Sequence, residues 1–352
     1  MTAYHGQVPE TPWWRAYPNP ALRLGSAYAA LRDSVRGVRA RLPSAKGNGL
    51  SQMVTLTLAQ AIVAPRWRRH LTAILAADRD IDAVLFVSVP PNHLRGVAGG
   101  IRRRFGVPVL LYDGDVPASL PDCSGFASGF RIYPGADLAE FDAVLSNSLG
   151  GESALRELGA VAVHTLFYGA DPALYEPLPL DQDIDVSFYG HTTEYRQDWI
   201  KNLLAEPSRA MPEARFAVRG VGLTGAGRAE ALPYLSFNSL RAFIGRSRIN
   251  LVIPREPHAS LYASSTMRPF ELALSGACMV SRPYAGIGEW FEPGREIIIV
   301  GSAEEAIDRY RHLLRHDAQR RAIGRAARER ALAEHTHRHR ARRLVQIIRE
   351  HF

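Results

Sequence analysis

Residues 249–281 read INLVIPREPHASLYASSTMRPFELALSGACMVS. Ile249–Ile253 is an apolar run of strand length, closed by Pro254. From Met267 to Ser275 the spacing turns helical, with Pro269 suited to the first turn and Gly276 to the end. Ala277–Ser281 is a second apolar run. Both runs are continuously apolar rather than alternating, which is the pattern of parallel strands buried on both faces. Sheets of this kind bind ligands beyond the carboxyl ends of their strands.

The same rhythm extends outward from this stretch. Upstream, Asp82–Ser88, Pro108–Tyr112, Phe141–Ser146 and Val161–Phe167 read as strands with helices between them. Tyr168–Leu180, with Pro172, Pro177 and Pro179, reads as a linker. The alternation then restarts with strands at Asp185–Tyr189 and Arg215–Arg219 and helices at Arg196–Leu204 and Leu240–Ser247. Downstream come a strand at Glu296–Val300 and helices at Glu304–Ala333 and His339–Ile348. At the start, helices are expected at Ala21–Arg41, Gln52–Ala64 and Trp67–Ala77, the last two parted by Pro65. The expectation is an α/β protein with two Rossmann-like parallel-sheet domains facing an interdomain cleft. The first spans residues 1–170, a linker 171–180 and the second domain 181–336. A terminal helix, 337–352, is expected to cross back onto the first domain.

Composition sets the outer bounds. The chain has 352 residues, 46% hydrophobic and 22% charged, which is globular chemistry. No apolar run reaches the roughly 18–20 residues that span a bilayer. Cys123 and Cys278 are too few for a disulfide framework or a four-thiolate zinc site, and the expected location is cytoplasmic. The net charge of +8 is carried almost wholly by arginine, since Lys46 and Lys201 are the lysines. GC-rich codon usage gives the same bias. A taste for phosphate-bearing ligands, or peripheral contact with an anionic membrane, fits it too.

Several strand ends carry polar groups. Ser265 and Thr266 precede the helix that begins at Met267, whose free N–H groups suit a phosphate. Arg268 can face such a phosphate, and Glu271 can accept two hydrogen bonds from vicinal hydroxyls. The same spacing also fits a glutamate capping its own helix. In the first domain His93, Asp113, Asp115, Asn147 and Ser148 follow strands and are expected to open toward the cleft. Of these, His93, Asp113 and Asp115 are the catalytic candidates, to contact sugar or acceptor or to take a proton. Asp113-Gly-Asp115 is also ordinary turn chemistry. His335, His337 and His339 lack a third ligand and read as structural, and Cys278 reads as core.

Residues 264–296 resemble the C-terminal domain of GT-B glycosyltransferases, specifically the CgeB-like group. The resemblance rests on Arg268, Phe270, Glu271, Gly276, Gly286, Phe291, Glu292, Gly294 and Glu296, with a closing Ala333-Glu-His-Thr-His-Arg-His-Arg340. It covers residues 180–350 and implies a nucleotide-diphospho-sugar donor. Glu271 looks like the ribose-binding glutamate of family 4 retaining enzymes. Their first glutamate would fall at Ala263, which has no carboxylate. The resemblance further implies a pyrophosphate site at Gly190, His191 and Arg196, a base site at Pro254 and Arg255, and a donor contact at Gly286.

The expected activity is transfer of a sugar to an unidentified acceptor, without metal and without any cofactor beyond the donor substrate. A nucleotide-sugar epimerase or hydrolase on the same fold is the alternative, as is a non-catalytic scaffold binding an anionic partner. The arginines are dispersed over several helices and no nucleic-acid module is present, so no nucleic-acid partner is expected.

Overall fold

The computed structural model describes residues 17, 19–21, 49–121, 132–192, 195–220, 222–233 and 239–351. All of the expected helix at 21–41 except Ala21, and Cys123, lie outside them.

The first half begins with α1 (Gly49–Ala77) and continues β1 (Val84–Val87), α2 (Val97–Phe105), β2 (Val109–Asp113), β3 (Ala143–Ser146), α3 (Glu152–Glu157) and β4 (Val163–Thr165). Its four strands lie in the order β1-β2-β3-β4, all parallel. Successive residues of β2 serve opposite faces of the sheet, as the pleat requires. Val109 and Leu111 pack with Ala64 and Leu75 of α1 and Val97 and Ile101 of α2. Leu110 packs on the other face with Leu145, Leu166 and Ile347, the last from the terminal helix α11 (His337–His351).

The second half runs β5 (Ile184–Tyr189), α4 (Gln197–Ile200), a π turn at Lys201–Ala205, α5 (Glu206–Ala210), β6 (Phe216–Arg219), β7 (Glu230–Leu232), α6 (Leu240–Gly245) and β8 (Ser247–Val252). There follow α7 (Glu256–Ser260), α8 (Met267–Leu274), β9 (Cys278–Ser281), β10 (Ile298–Ile299), α9 (Ala303–Arg315) and α10 (Asp317–Glu334). The strands form one parallel sheet in the order β10-β9-β8-β5-β6-β7. The order reverses beside β5 and β8, so the crevice at their carboxyl ends is the place for a ligand. Phe188, Val218, Leu251 and Val280 fill one face; Val252, Phe270, Leu272 and Met279 fill the other.

Two local expectations change, and two elements are new. Gln52–Ala64 and Trp67–Ala77 are one helix with Pro65 inside it. Proline removes only its own N–H, and Arg66 Nη1 donates to the Ile62 carbonyl beside the gap at 2.9 Å. The helix expected at Glu304–Ala333 breaks at His316 into α9 and α10. The edge strand β7 and the short helix α7 had no counterpart in the sequence reading.

No helix among the described residues is long and apolar enough to cross a membrane.

Candidate functional site

The halves meet along an antiparallel seam between residues 147–150 and 262–265. Ser265 N donates to Asn147 O at 2.9 Å and Gly150 N to Tyr262 O at 2.9 Å. Side chains reinforce it. Asn147 Nδ2 donates to Ser265 O at 2.8 Å, while its Oδ1 accepts from Val116 N at 3.0 Å. Ser264 Oγ donates to Val116 O at 2.5 Å and Ser148 Oγ to Tyr262 O at 3.2 Å. Within the seam, Ala263 is fully buried in the left-handed region at φ 45°. Gly286, at φ 77°, packs flush against it, where a side chain would overlap the Ala263 backbone.

Beyond the seam, α8 and β5 build a cradle. Glu271 is 5% exposed. Tyr175 Oη donates to its Oε1 at 2.8 Å and Tyr189 Oη to its Oε2 at 2.9 Å. The carboxylate therefore does not cap its own helix, and each oxygen keeps lone-pair capacity for another donor. Burial, and then the Glu271 charge, push both tyrosine hydroxyls upward, so they stay protonated donors. One turn earlier, the Arg268 guanidinium lies over the Tyr189 ring at 4.3 Å and the Phe188 ring at 5.0 Å. Its Nε is buried with no hydrogen-bond partner. A Cβ on Gly190 would come within 2.8 Å of its Nη2, so glycine is what lets the backbone approach. Gly220, at φ 147°, lies against the Gly190 carbonyl, where a Cβ would overlap it.

Other expected donor-side residues flank this cradle. His191 is exposed just past Gly190. Arg196 Nε donates to Ile253 O at 2.7 Å, which holds the β5 loop against the end of β8. Pro254 is buried there. Thr266 is the N-cap of α8 and makes no capping bond. Ser265 differs from expectation. Its Oγ donates to Asn147 O at 2.8 Å and accepts from Tyr168 N at 3.0 Å, so it is a fully buried part of the seam.

Asp113 also departs from the expectation of a cleft-facing catalyst. It is 3% exposed. Its Oδ2 accepts from the Ser119 and Tyr133 hydroxyls, and its Oδ1 from Asp115 N at 2.9 Å. Burial raises its pKa, and the hydrogen bonds hold it down in part. Its carboxylate organises the loop after β2 from inside. Asn147 and Ser148, expected to open toward the cleft, are equally committed to the seam.

Asp115, two residues on, has a side chain 52% exposed. Its Oδ1 lies 3.1 Å from His258 Nε2 and 3.8 Å from Arg255 Nη1. The ion pair joins Arg255, beyond β8, to the first half. His93 sits in a 3-10 turn, Pro91–His93, past β1, half-buried, with its pKa lowered by burial. No hydrogen bond joins His93 to Asp113 or Asp115 among the described residues.

Three residues central to this geometry were not singled out in the sequence. Tyr189 stands directly before Gly190 and was legible by position. Tyr175 lies in the linker and His258 in a five-residue helix, and neither carries a periodic signal. Of the terminal histidines, His335 accepts from Arg340 Nη2 at 2.8 Å and donates from Nε2 to Trp290 O at 3.1 Å. Arginine has no acceptor, so this pairing fixes a neutral imidazole. Burial, ahead of the charge of Arg340, brings its pKa down to about 3.

Residues 196–346 match the family model described as Glycosyl transferase-like. The solved structures it resembles include sucrose-phosphate synthase from Thermosynechococcus elongatus, at 16% identity and TM-score 0.58, covering 83% of this chain and 78% of that one. HepE from Anabaena, in complex with UDP-glucose, aligns at 13% identity and TM-score 0.59, covering 79% and 81%. Trehalose 6-phosphate synthase from Burkholderia multivorans aligns at 14% and 0.56, covering 87% and 78%. The fold is GT-B. A search of the curated proteins finds no match. At these identities the likeness speaks for the GT-B architecture, and its glycosyltransferase-like second half carries the cradle built by Gly190, Arg268 and Glu271.

Proposed function

We propose that this GT-B protein is a metal-independent hexosyltransferase of the CgeB-like kind, acting in the cytoplasm on a nucleoside diphosphate sugar. The observation that carries the reading is the Arg268–Glu271 pair. A buried guanidinium Nε without a partner is costly unless an anion completes it, and it lies beside a glycine turn that admits one. A carboxylate three residues on, held by two tyrosine hydroxyls, keeps room for the vicinal hydroxyls of a ribose.

In this reading Arg268, Gly190, His191 and Arg196 hold the diphosphate and neutralise the charge that gathers on it as the sugar leaves. Glu271 holds the ribose. Pro254 borders the base, Gly286 and Thr266 border the sugar, and His93 and Asp115 face the acceptor. Uridine is the favoured nucleoside, because HepE was solved with UDP-glucose and UDP and glucose.

The test is a thermal-shift panel of UDP, GDP, dTDP, ADP and CMP on wild type, Arg268→Gln and Glu271→Gln. A ligand that binds the folded state raises its midpoint. UDP is expected to raise the wild-type midpoint and to shift both variants much less. No shift by any nucleotide in wild type overturns the reading.

A further inference from the structure

Asp115 and His258 come from different halves of the molecule. Asp115 follows β2 of the four-stranded sheet, and His258 lies in α7 beyond β8 of the six-stranded one. They meet at 3.1 Å, His258 Nε2 to Asp115 Oδ1. His258 is 4% exposed, whereas the Asp115 side chain is 52% exposed. A carboxylate oxygen only accepts when ionised, so Nε2 carries the proton in this pair. His258 Nδ1 is buried without a hydrogen-bond partner. Arg255 Nη1 stands 3.8 Å from the same Oδ1. The other oxygen, Oδ2, takes no hydrogen bond from the described residues. Asp115 N is itself pinned to Asp113 Oδ1 at 2.9 Å. The carboxylate is thus fixed through one oxygen and its own backbone, and offers the other to solvent where the two halves meet.

We infer that Asp115 Oδ2 receives the acceptor hydroxyl, and that His258 is the positioning residue that aims it. The inference rests on the glycosyl-transfer reading and adds a bridge across the halves to it. In the step, the acceptor O–H gives its proton to Asp115 Oδ2 as the acceptor oxygen bonds the anomeric carbon. The bond from that carbon to the diphosphate oxygen breaks, and its electron pair leaves on the diphosphate. His258 and Arg255 hold Oδ1 throughout. Because His258 belongs to the donor-binding half, the acceptor-side carboxylate is set in place by the half that binds the nucleotide.

The arrangement separates binding from turnover. With water as the acceptor, hydrolysis of UDP-glucose to UDP and glucose reports turnover, and calorimetry with UDP reports the donor site. Asp115→Asn is expected to cut kcat about 100-fold while the UDP Kd stays within about threefold of wild type. His258→Ala is expected to cut kcat about tenfold at unchanged KM for UDP-glucose. His258→Gln, whose amide N–H can replace the Nε2 donor, is expected to recover most of that loss. A Gln variant as slow as Ala, or losses of UDP affinity that track the losses of kcat, overturns the inference. So does unchanged kcat in Asp115→Asn, or wild type that binds UDP but does not cleave UDP-glucose. A wild-type protein that binds no nucleotide at all overturns the transferase reading, and this inference with it.

Discussion

At the carboxyl ends of the six-stranded sheet, Arg268 keeps a buried Nε without a partner and Glu271 keeps lone pairs on both oxygens. At the carboxyl ends of the four-stranded sheet, Asp113 and Asn147 have committed their polar atoms to the protein itself. Both sets were expected to face a ligand, and both are buried or half-buried. What separates them is satisfaction. A buried polar group whose bonds are complete holds structure together, and one whose bonds are incomplete has capacity left for a further partner. Burial and residue type alone do not tell these apart.

This contrast can be broken in graded ways. The largest effect is expected at Gly220. Alanine there combines φ 147° with overlap on the Gly190 carbonyl, and stability should fall by about 3 kcal/mol or more. Chemical denaturation of Gly220→Ala checks it, and a near-wild-type midpoint would show that the two strand ends are not in tight contact.

Asn147→Ala comes next. It leaves Val116 N and Ser265 O without their partners inside the seam, at a cost of about 2–4 kcal/mol. UDP affinity measured on the folded variant should stay near wild type. A large loss of affinity with little loss of stability would place Asn147 on the ligand side of the contrast.

Arg268→Gln is the converse. UDP affinity should fall about 10- to 100-fold, while the unliganded protein loses only about 1–2 kcal/mol of stability, from the lost contact with the Tyr189 and Phe188 rings. Calorimetry and denaturation of the same preparation separate the two quantities.

The last effect is a pH dependence. His335 has a pKa of about 3 in the fold, below its ordinary 6.5. Between those values the unfolded chain binds the extra proton, so stability rises with pH there and is lost as pH falls. Above about 6.5 the contribution is fully present. The slope for one proton is about 1.4 kcal/mol per pH unit. The difference in stability between wild type and His335→Gln, followed from pH 7 to pH 4, should shrink toward low pH. A constant difference would mean the ring is not kept neutral.

Much of the architecture was legible because strand and helix periods are local. Ile249–Ile253 and Ala277–Ser281 announced buried parallel strands, and β8 and β9 lie side by side. Arg268 and Glu271 were legible because three residues on one helix suffice to pair them. The Tyr175–Glu271 bond joins residues 96 apart, and the His258–Asp115 contact joins residues 143 apart. No short-range pattern encodes either. Asp113 and Asp115 look equivalent in Asp-Gly-Asp, and only the three-dimensional positions of Ser119, Tyr133 and His258 make one internal and the other external. The edge strand β7 escaped because Glu230 and Ala231 are exposed and the run is three residues long.

The seam between residues 147–150 and 262–265 has a mechanical consequence. It ties the halves along a line instead of at a point, with backbone bonds that resist sliding in either direction. A second tie, where Ala170 pairs with Thr336, restrains the chain crossings. Relative motion that spares these bonds is rotation about the seam, as a door turns about its pins. Groups near that axis, such as Val116 and Ser264, would hold their spacing through the swing. Displacement would grow with distance from it, so the outer loops travel farthest while the inner edge keeps its register.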